Sequence, residues 1–348
     1  MDIKPVLQTW GRVLTGRVPT LSIEITRECP LRCPGCYAYE ENHLGGKGLR
    51  SVADFEGQQL IDRVIALVDE YNPLHLSIVG GDPLVRLREL NVLLPKLADR
   101  GIHVQVVTSA FREIPKSWAR IPLLRISVSV DGLQPEHDVR RKPATYERIL
   151  RNIQGQHIAV HCTVTNTMVK REEYLDEFLS FWTSNSVVEK VWMSIFTPQL
   201  GESPVECLTV AERDWLVNKL LILRKTYPKL DMPVGLIKEM SVPPKSPARC
   251  IFAKTTRAIS ADFVSRVEPC QLGGNPDCSR CGCVASMGLN AIGSHRLFGP
   301  LTAGQIFWAS AAIGDWMQRK FRPATGVRQT STQDFQPVPN PRIFRILD

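Results

Sequence analysis

From Leu21 to about Phe196, six strand-like runs alternate with helical patterns, and this alternation limits the fold more than any other feature. The predicted strands are Leu21–Thr26, His75–Val79, Ile102–Thr108, Leu124–Val130, His157–Thr165 and Val187–Phe196. Most are near-continuous apolar or β-branched runs, the pattern of strands covered on both faces in a parallel sheet. Helices are predicted over Ser51–Tyr71, Arg86–Arg100, Thr145–Ile153 and Arg171–Thr183, with Ala211–Tyr227 after the last strand. In the first of these, Leu60, Val64, Leu67 and Val68 form one apolar stripe, as a helix lying on a sheet requires. Repeated strand–helix units with right-handed crossovers build either a doubly wound sheet or a barrel, and six units point to an α/β partial (β/α)6 TIM-like barrel. Ligands in such folds sit beyond the carboxyl ends of the strands. Chemistry-bearing residues fall there in turn: Cys29, Gly80-Gly81-Asp82, Thr108-Ser109, Asp131-Gly132 and Asn166.

Four segments are expected. Residues 1–20 form an N-terminal segment, 21–230 the barrel, 231–322 a Cys-rich extension with an apolar helix, and 323–348 an extended or disordered tail. The proline-rich stretch Pro243-Pro244-Lys245-Ser246-Pro247 reads as a linker within the extension. The N-terminus lacks an uninterrupted apolar stretch with a small-residue cleavage site, so a cytoplasmic protein is expected. Ten cysteines in such a chain argue for metal or redox chemistry over a disulfide framework. The net charge of +8 would suit an anionic ligand, a membrane surface or nucleic acid. It comes without any Lys/Arg block, so nucleic acid is not the expected partner.

Cys29-Pro-Leu-Arg-Cys33-Pro-Gly-Cys36 places three thiols in eight residues directly after the first strand. Three cysteines of one loop can ligate three irons of a cubane cluster and leave the fourth iron open. A three-cysteine zinc site is the alternative. Pro30 and Pro34 keep the loop out of helix until the ligands have passed.

This CxxxCxxC after the first barrel strand resembles the radical S-adenosylmethionine (SAM) superfamily, and the resemblance covers about residues 20–200. It implies an enzyme in which Cys29, Cys33 and Cys36 hold a [4Fe-4S] cluster whose open iron chelates SAM. Reductive cleavage then yields a 5′-deoxyadenosyl radical that attacks the substrate, with an external flavodoxin- or ferredoxin-type donor supplying the electron. Gly80-Gly81-Asp82-Pro83-Leu84 is similar to the family's GGEPL motif, which implies contact with the methionine amino group. Thr108-Ser109-Ala110 resembles its third-strand Thr-Asn-Gly, and Ser129-Val-Asp131-Gly132 its fourth-strand pattern. By the same likeness Ser129 contacts ribose or the SAM carboxylate, Arg140 pairs with that carboxylate, and Asn166 contacts ribose. Two positions depart from the pattern. Asp82 replaces the usual Glu, and Gly35 replaces the aromatic that precedes the third cysteine, leaving open whether Tyr37 takes over the adenine contact.

Cys250, Cys270, Cys278, Cys281 and Cys283 crowd the extension. Cys250 and Cys270 resemble the opening hairpin of a SPASM or twitch extension, which implies one auxiliary [4Fe-4S] cluster; a structural zinc site is the alternative. The expected ligands are Cys250, Cys270, Cys278 and either Cys281 or Cys283. Cys162 is expected in the core and Cys207 as a free thiol. Ile306, Ala309, Ile313, Trp316 and Met317 recur at helical spacing next to Arg319, Lys320 and Arg322. That stripe is expected to pack on its own domain, with peripheral membrane contact as the other reading. The arrangement is loosely similar to the hopanoid-biosynthesis radical SAM proteins. Twenty-eight residues precede Cys29, little room for a leader-recognition domain, so a small molecule or lipid is expected before a peptide as substrate. A non-catalytic zinc scaffold is the rival of another class.

Overall fold

The computed structural model describes residues 4–143 and 146–321. Each predicted strand–helix unit forms, with ends shifted by a few residues. The chain runs α1 (Lys4–Leu14), β1 (Thr20–Glu24), α2 (Gly57–Tyr71), β2 (His75–Val79), α3 (Leu87–Asp99), β3 (His103–Thr108), β4 (Leu124–Ser129), α4 (Glu136–Arg140) and α5 (Tyr146–Asn152). It continues through β5 (Ile158–Val164), α6 (Asn166–Val169), α7 (Tyr174–Ser184), β6 (Val188–Ile195), α8 (Val210–Thr226) and α9 (Val234–Glu239). The extension supplies α10 (Ile251–Thr255), β7 (Thr256–Ile259), α11 (Val284–Ser294), the hairpin β8 (Arg296–Phe298) and β9 (Leu301–Thr302), and α12 (Ala303–Phe321).

The sheet is parallel throughout, in the order β6-β5-β4-β3-β2-β1-β7. It therefore has a seventh strand beyond the six predicted. β7 comes from the extension and pairs with β1, Leu21 opposite Arg257 and Ile23 opposite Ile259. Four residues are too short a run to announce a strand by pattern.

The two faces of the sheet differ, which corrects the expectation of apolar cover on both. Side chains paired in register share a face. Leu21, Ile23, Leu76, Ile78, Val104, Val106, Ile126 and Val128 face the helices and are buried. They meet stripes such as Leu60, Val64, Leu67 and Val68 of α2. The inner face carries Ser22, Ser77, Gln105 and Arg125 in one row, then Ser129, His161 and Trp192, then Thr163 and Ser194. Ser77, Gln105, His161, Thr163 and Trp192 are only half-buried. A polar trough thus opens within the partial barrel.

At the far end, α12 packs on α1 through small residues. A Cβ on Gly314 would come 2.2 Å from the Val13 carbonyl oxygen, and Gln318 donates to the Thr15 carbonyl at 2.8 Å. Gly304, Ser310, Ala311 and Gly314 make the buried face, whereas Ile313, Trp316 and Phe321 stay exposed. The expected stripe packs only in part: Ile306 and Met317 are half-buried while Ala309, Ile313 and Trp316 are exposed, because the closest helix contact is made by glycine and alanine. Among the described residues no helix is long and apolar enough to cross a membrane. The tail expected over 323–348 lies outside the described residues.

Candidate active site

The CxxxCxxC loop leaves the carboxyl end of β1 and is pinned along its length. Gly81 donates to the Thr26 carbonyl at 2.7 Å and Asp82 to the Glu28 carbonyl at 2.8 Å, strapping the GGDPL turn to the start of the loop. A Cβ on Gly81 would fall 1.9 Å from the Glu28 oxygen, so the approach requires glycine. Arg32 donates to the Lys142 carbonyl at 2.6 Å, and the Tyr39 hydroxyl to the Arg27 carbonyl at 2.8 Å. The loop is built by its neighbours as much as by its prolines.

Cys29, Cys33 and Cys36 are gathered there, each partly buried. Burial pushes the Cys29 thiol up to about 12, against the favourable Leu31 N–H, with Asp82, Cys33 and Cys36 adding to the rise. Burial likewise raises Cys33, opposed first by Arg141, and Cys36, where Cys33 adds to the rise. Three clustered thiolates would repel one another, and a cation that replaces their protons removes the conflict.

Around this loop the expected SAM contacts fall into place unevenly. Asp82 is 2% exposed, and its carboxylate accepts from Leu84 N–H (3.0 Å), Thr108 hydroxyl (2.7 Å), Ser109 N–H (2.8 Å) and Ser109 hydroxyl (2.6 Å). Four bonds from its own chain make Asp82 the clamp between the β2 turn and the end of β3. Pro83 starts the short helical turn after it. The backbone at Gly80 and Gly81 is what faces the loop. Ala110 takes the left-handed conformation (φ 51°) at the place of the motif's glycine. Ser129 sits at the inner end of β4, 7% exposed.

Arg140 Nε donates to Asp131 Oδ2 at 3.1 Å and its guanidinium pairs with Glu206. The neighbouring Arg141, which sequence reasoning missed, donates to the same Asp131 oxygen at 2.9 Å and is the guanidinium felt most strongly by Cys33. Burial would raise the Asp131 carboxyl, but Arg141 and Arg140 hold it well below the usual range. The Asn166 side-chain amide donates to Glu212 at 2.6 Å, so the expected ribose contact is already engaged by α8. Tyr37 is half-buried and packs with the small cluster of Ala38, Leu49, Val52 and Ala261. Its phenol is raised by burial, then by Glu24, Cys36, Cys283 and Cys270. Cys162 is fully buried in the core, and Cys207 is half-buried in a loop.

All five cysteines of the extension line one pocket, with Gln271 and Ser286. Burial raises Cys270 to about 12 and Cys278 to about 11. After burial, Cys281, Cys250 and Cys278 add to the rise at Cys270, and Cys281 and Cys250 to that at Cys278; Cys283 is raised by burial and then by Cys281, and accepts from Gln271 Nε2 at 3.5 Å. Among the described residues no three His, Cys, Asp or Glu side chains converge as a single metal ion requires. A cubane gives each thiol its own iron, so neither cysteine group needs to converge on a single ion.

Two further residue sets join the groups and had no signal in sequence. Glu24, 3% exposed, holds His43 Nε2 (2.7 Å) with one oxygen and the Ser260 hydroxyl (2.7 Å) with the other. That links β1, the loop after Cys36 and the end of β7; a Cβ on Gly273, three residues past Cys270, would lie 2.3 Å from His43 Nδ1. Arg213 of α8 donates to the carbonyls of Met240 (2.7 Å), Cys281 (2.9 Å) and Arg280 (2.6 Å) and so holds the Cys278–Cys283 turn.

The PqqA peptide cyclase of Bradyrhizobium diazoefficiens is 29% identical over 32% of this chain and 28% of its own. A GTP 3′,8-cyclase of Brucella abortus is 25% identical over 48% of each chain. The chain thus spans half or less of the curated relatives it matches. A solved structure of anSMEcpe with bound AdoMet and Cp18Cys peptide superposes with a TM-score of 0.54, at 16% identity, over 80% of this chain and 81% of that one. That likeness shows the fold. Residues 23–181 match the family described as "Radical SAM superfamily", which implies a [4Fe-4S] cluster and SAM as cofactors, and the chain carries a radical SAM domain over that span.

Proposed function

We propose that this chain is a two-cluster radical SAM enzyme acting on a polar substrate, with a peptide as the favoured class. The observation that carries the reading is that both cysteine groups stand at the carboxyl ends of the strands: the first loop follows β1, and the turn holding Cys281 and Cys283 bonds to Ile195 and Ser194 at the end of β6. Cys29, Cys33 and Cys36 would hold the first cluster, which when bound supplies the electron that breaks a C–S bond of SAM for hydrogen abstraction. Cys250, Cys270, Cys278 and Cys281 would hold the second, with Cys283 beside it.

The chain's own residues set the conditions for that chemistry. Gly80 and Gly81 bring backbone close to the loop, and Arg140 and Arg141 keep Asp131 ionised beside it. The half-buried inner face, with Ser77, Gln105, His161 and Thr163, offers a substrate hydrogen-bonding partners. His161 Nε2 lies 2.8 Å from Ser194 Oγ, which also accepts the Val284 N–H at 3.1 Å next to Cys283. Such a wall suits a peptide side chain or another polar group and would leave polar groups unsatisfied against a lipid chain, so the lipid expectation is not carried forward. The likeness to peptide-bound anSMEcpe reaches beyond the radical SAM domain and supports the peptide reading. The GTP cyclase relative supports a small polar molecule as the second. An acidic flavodoxin- or ferredoxin-type donor would match the net charge of +8.

Anaerobic reconstitution tests the proposal. It expects about eight irons per chain, as two cubanes require, and dithionite-dependent formation of 5′-deoxyadenosine from SAM. Stoichiometric zinc with no broad visible absorbance and no 5′-deoxyadenosine would refute it in favour of the scaffold reading.

A further inference from the structure

Position 35 is where the family resemblance expects an aromatic ring, and the structure shows why this chain has none. Gly35 adopts φ 60°, a left-handed conformation costly to side chains. A Cβ there would also lie 3.2 Å from Glu206 Oε2 and 3.4 and 3.5 Å from Cε2 and Cζ of Phe196. The Phe196 ring is therefore a direct neighbour of position 35, with the Glu206 carboxylate slightly closer.

Phe196 follows β6 directly. Its N–H donates to the Val164 carbonyl at 3.0 Å, which continues the strand register, and two-residue alternation from Ser194 turns its side chain to the inner face. The ring is half-buried at the mouth of the barrel, with the Arg140 guanidinium 5.6 Å from its centroid. Of the other aromatics near the loop, Tyr37 has its ring centroid 5.9 Å from that of His43, and the Tyr39 hydroxyl is held by the Arg27 carbonyl.

We propose that Phe196 supplies from β6 the adenine-binding ring that position 35 lacks. The argument rests on SAM being the ligand at the barrel mouth. A purine base gains affinity from an aromatic partner with little demand on its hydrogen-bonding pattern, so a ring from another element serves as well. The exchange also fits Gly35: its left-handed φ disfavours a side chain there, and Phe196 lies within van der Waals reach of the place where one would start.

The test is ligand binding to the reconstituted full chain. Phe196→Ala should weaken SAM about tenfold, the size of one base–ring stack, and weaken S-adenosylhomocysteine and 5′-deoxyadenosine alike. The change that added methionine makes in the spectrum of the reduced cluster should persist unaltered. Phe196→Trp should bind within about threefold of wild type, since the stack is kept. Phe196→Leu keeps apolar bulk against Gly35 and should still lose the adenine-dependent affinity; it decides the matter if the alanine variant does not assemble. Undiminished SAM affinity in Phe196→Leu overturns the proposal. Failure of the wild-type protein to bind SAM at all would instead overturn the reading of the site, and the two results are distinct.

Discussion

The two cysteine groups are built in opposite ways. The first puts three thiols in eight residues on one loop, so its ligands are local even though the turns beside it hold it in place. The second draws five thiols from a 34-residue stretch, Cys250 to Cys283, through β7, a long loop and the start of α11. Its geometry depends on contacts far off in sequence: Arg213 from α8, His43 from the first loop, and Gly282 against the end of β6. Gly282 accepts from Ile195 N–H at 3.0 Å and donates to the Thr197 hydroxyl at 2.9 Å, so the turn docks on β6 much as another strand would. A site made by local sequence survives changes elsewhere in the fold, whereas a site assembled by tertiary contacts does not.

That difference can be broken at either end. The largest effect is expected from Cys33→Ala, which should abolish 5′-deoxyadenosine formation and remove roughly half the iron while the second cluster persists; iron analysis and electron paramagnetic resonance on the same sample would check it. Next is Gly282→Val. A Cβ at 282 would lie 2.3 Å from both Cβ and the carbonyl oxygen of Ile195, a clash worth about 3 kcal/mol. It should empty the second site and leave the first loaded, so parallel loss of both spectra would mean the sites are not separable.

Acid should act on the barrel that carries both. Burial lowers His75 and His137 to about 4, and neutral His137 accepts the Asp131 N–H at 3.1 Å. The unfolded chain then binds more protons between pH 6.5 and about 4. Stability contributed by these two groups is full above pH 6.5 and is lost as pH falls through that window, which thermal unfolding at stepped pH would reveal; Tm flat from pH 7 to 4.5 would contradict it. The smallest effect is at the α8 cap. Thr209 and Glu212 bond reciprocally, at 3.2 and 2.8 Å. Thr209→Ala should cost about 1 kcal/mol, seen in urea unfolding, and should reach the second cluster only through Arg213 one residue on from Glu212.

What could be read in the sequence follows the same division. The six strand–helix units, the CxxxCxxC loop and the Gly80-Gly81-Asp82 turn are local patterns, and each stands where strand ends place it. The Thr209-x-x-Glu212 capping box is local as well, and α8 begins at Val210, one residue before the predicted Ala211. β7, the Glu24–His43–Ser260 link, Arg141 beside Cys33 and Phe196 beside Gly35 left no local trace. In each, the partner lies across the sheet or in another loop, and only the closed barrel brings the two together. Tyr37 shows the limit from the other side: its neighbour in sequence is the third cysteine, but its neighbours in space include His43 and Ala261.

The most direct test of two unlike clusters is the resonance spectrum of the dithionite-reduced, fully loaded protein before and after SAM is added. One of two reduced cubane signals should shift, and that signal should be missing from Cys33→Ala while the unshifted one remains. A single signal, two signals that both move, or none that responds would contradict the assignment of an open first site and a closed second one.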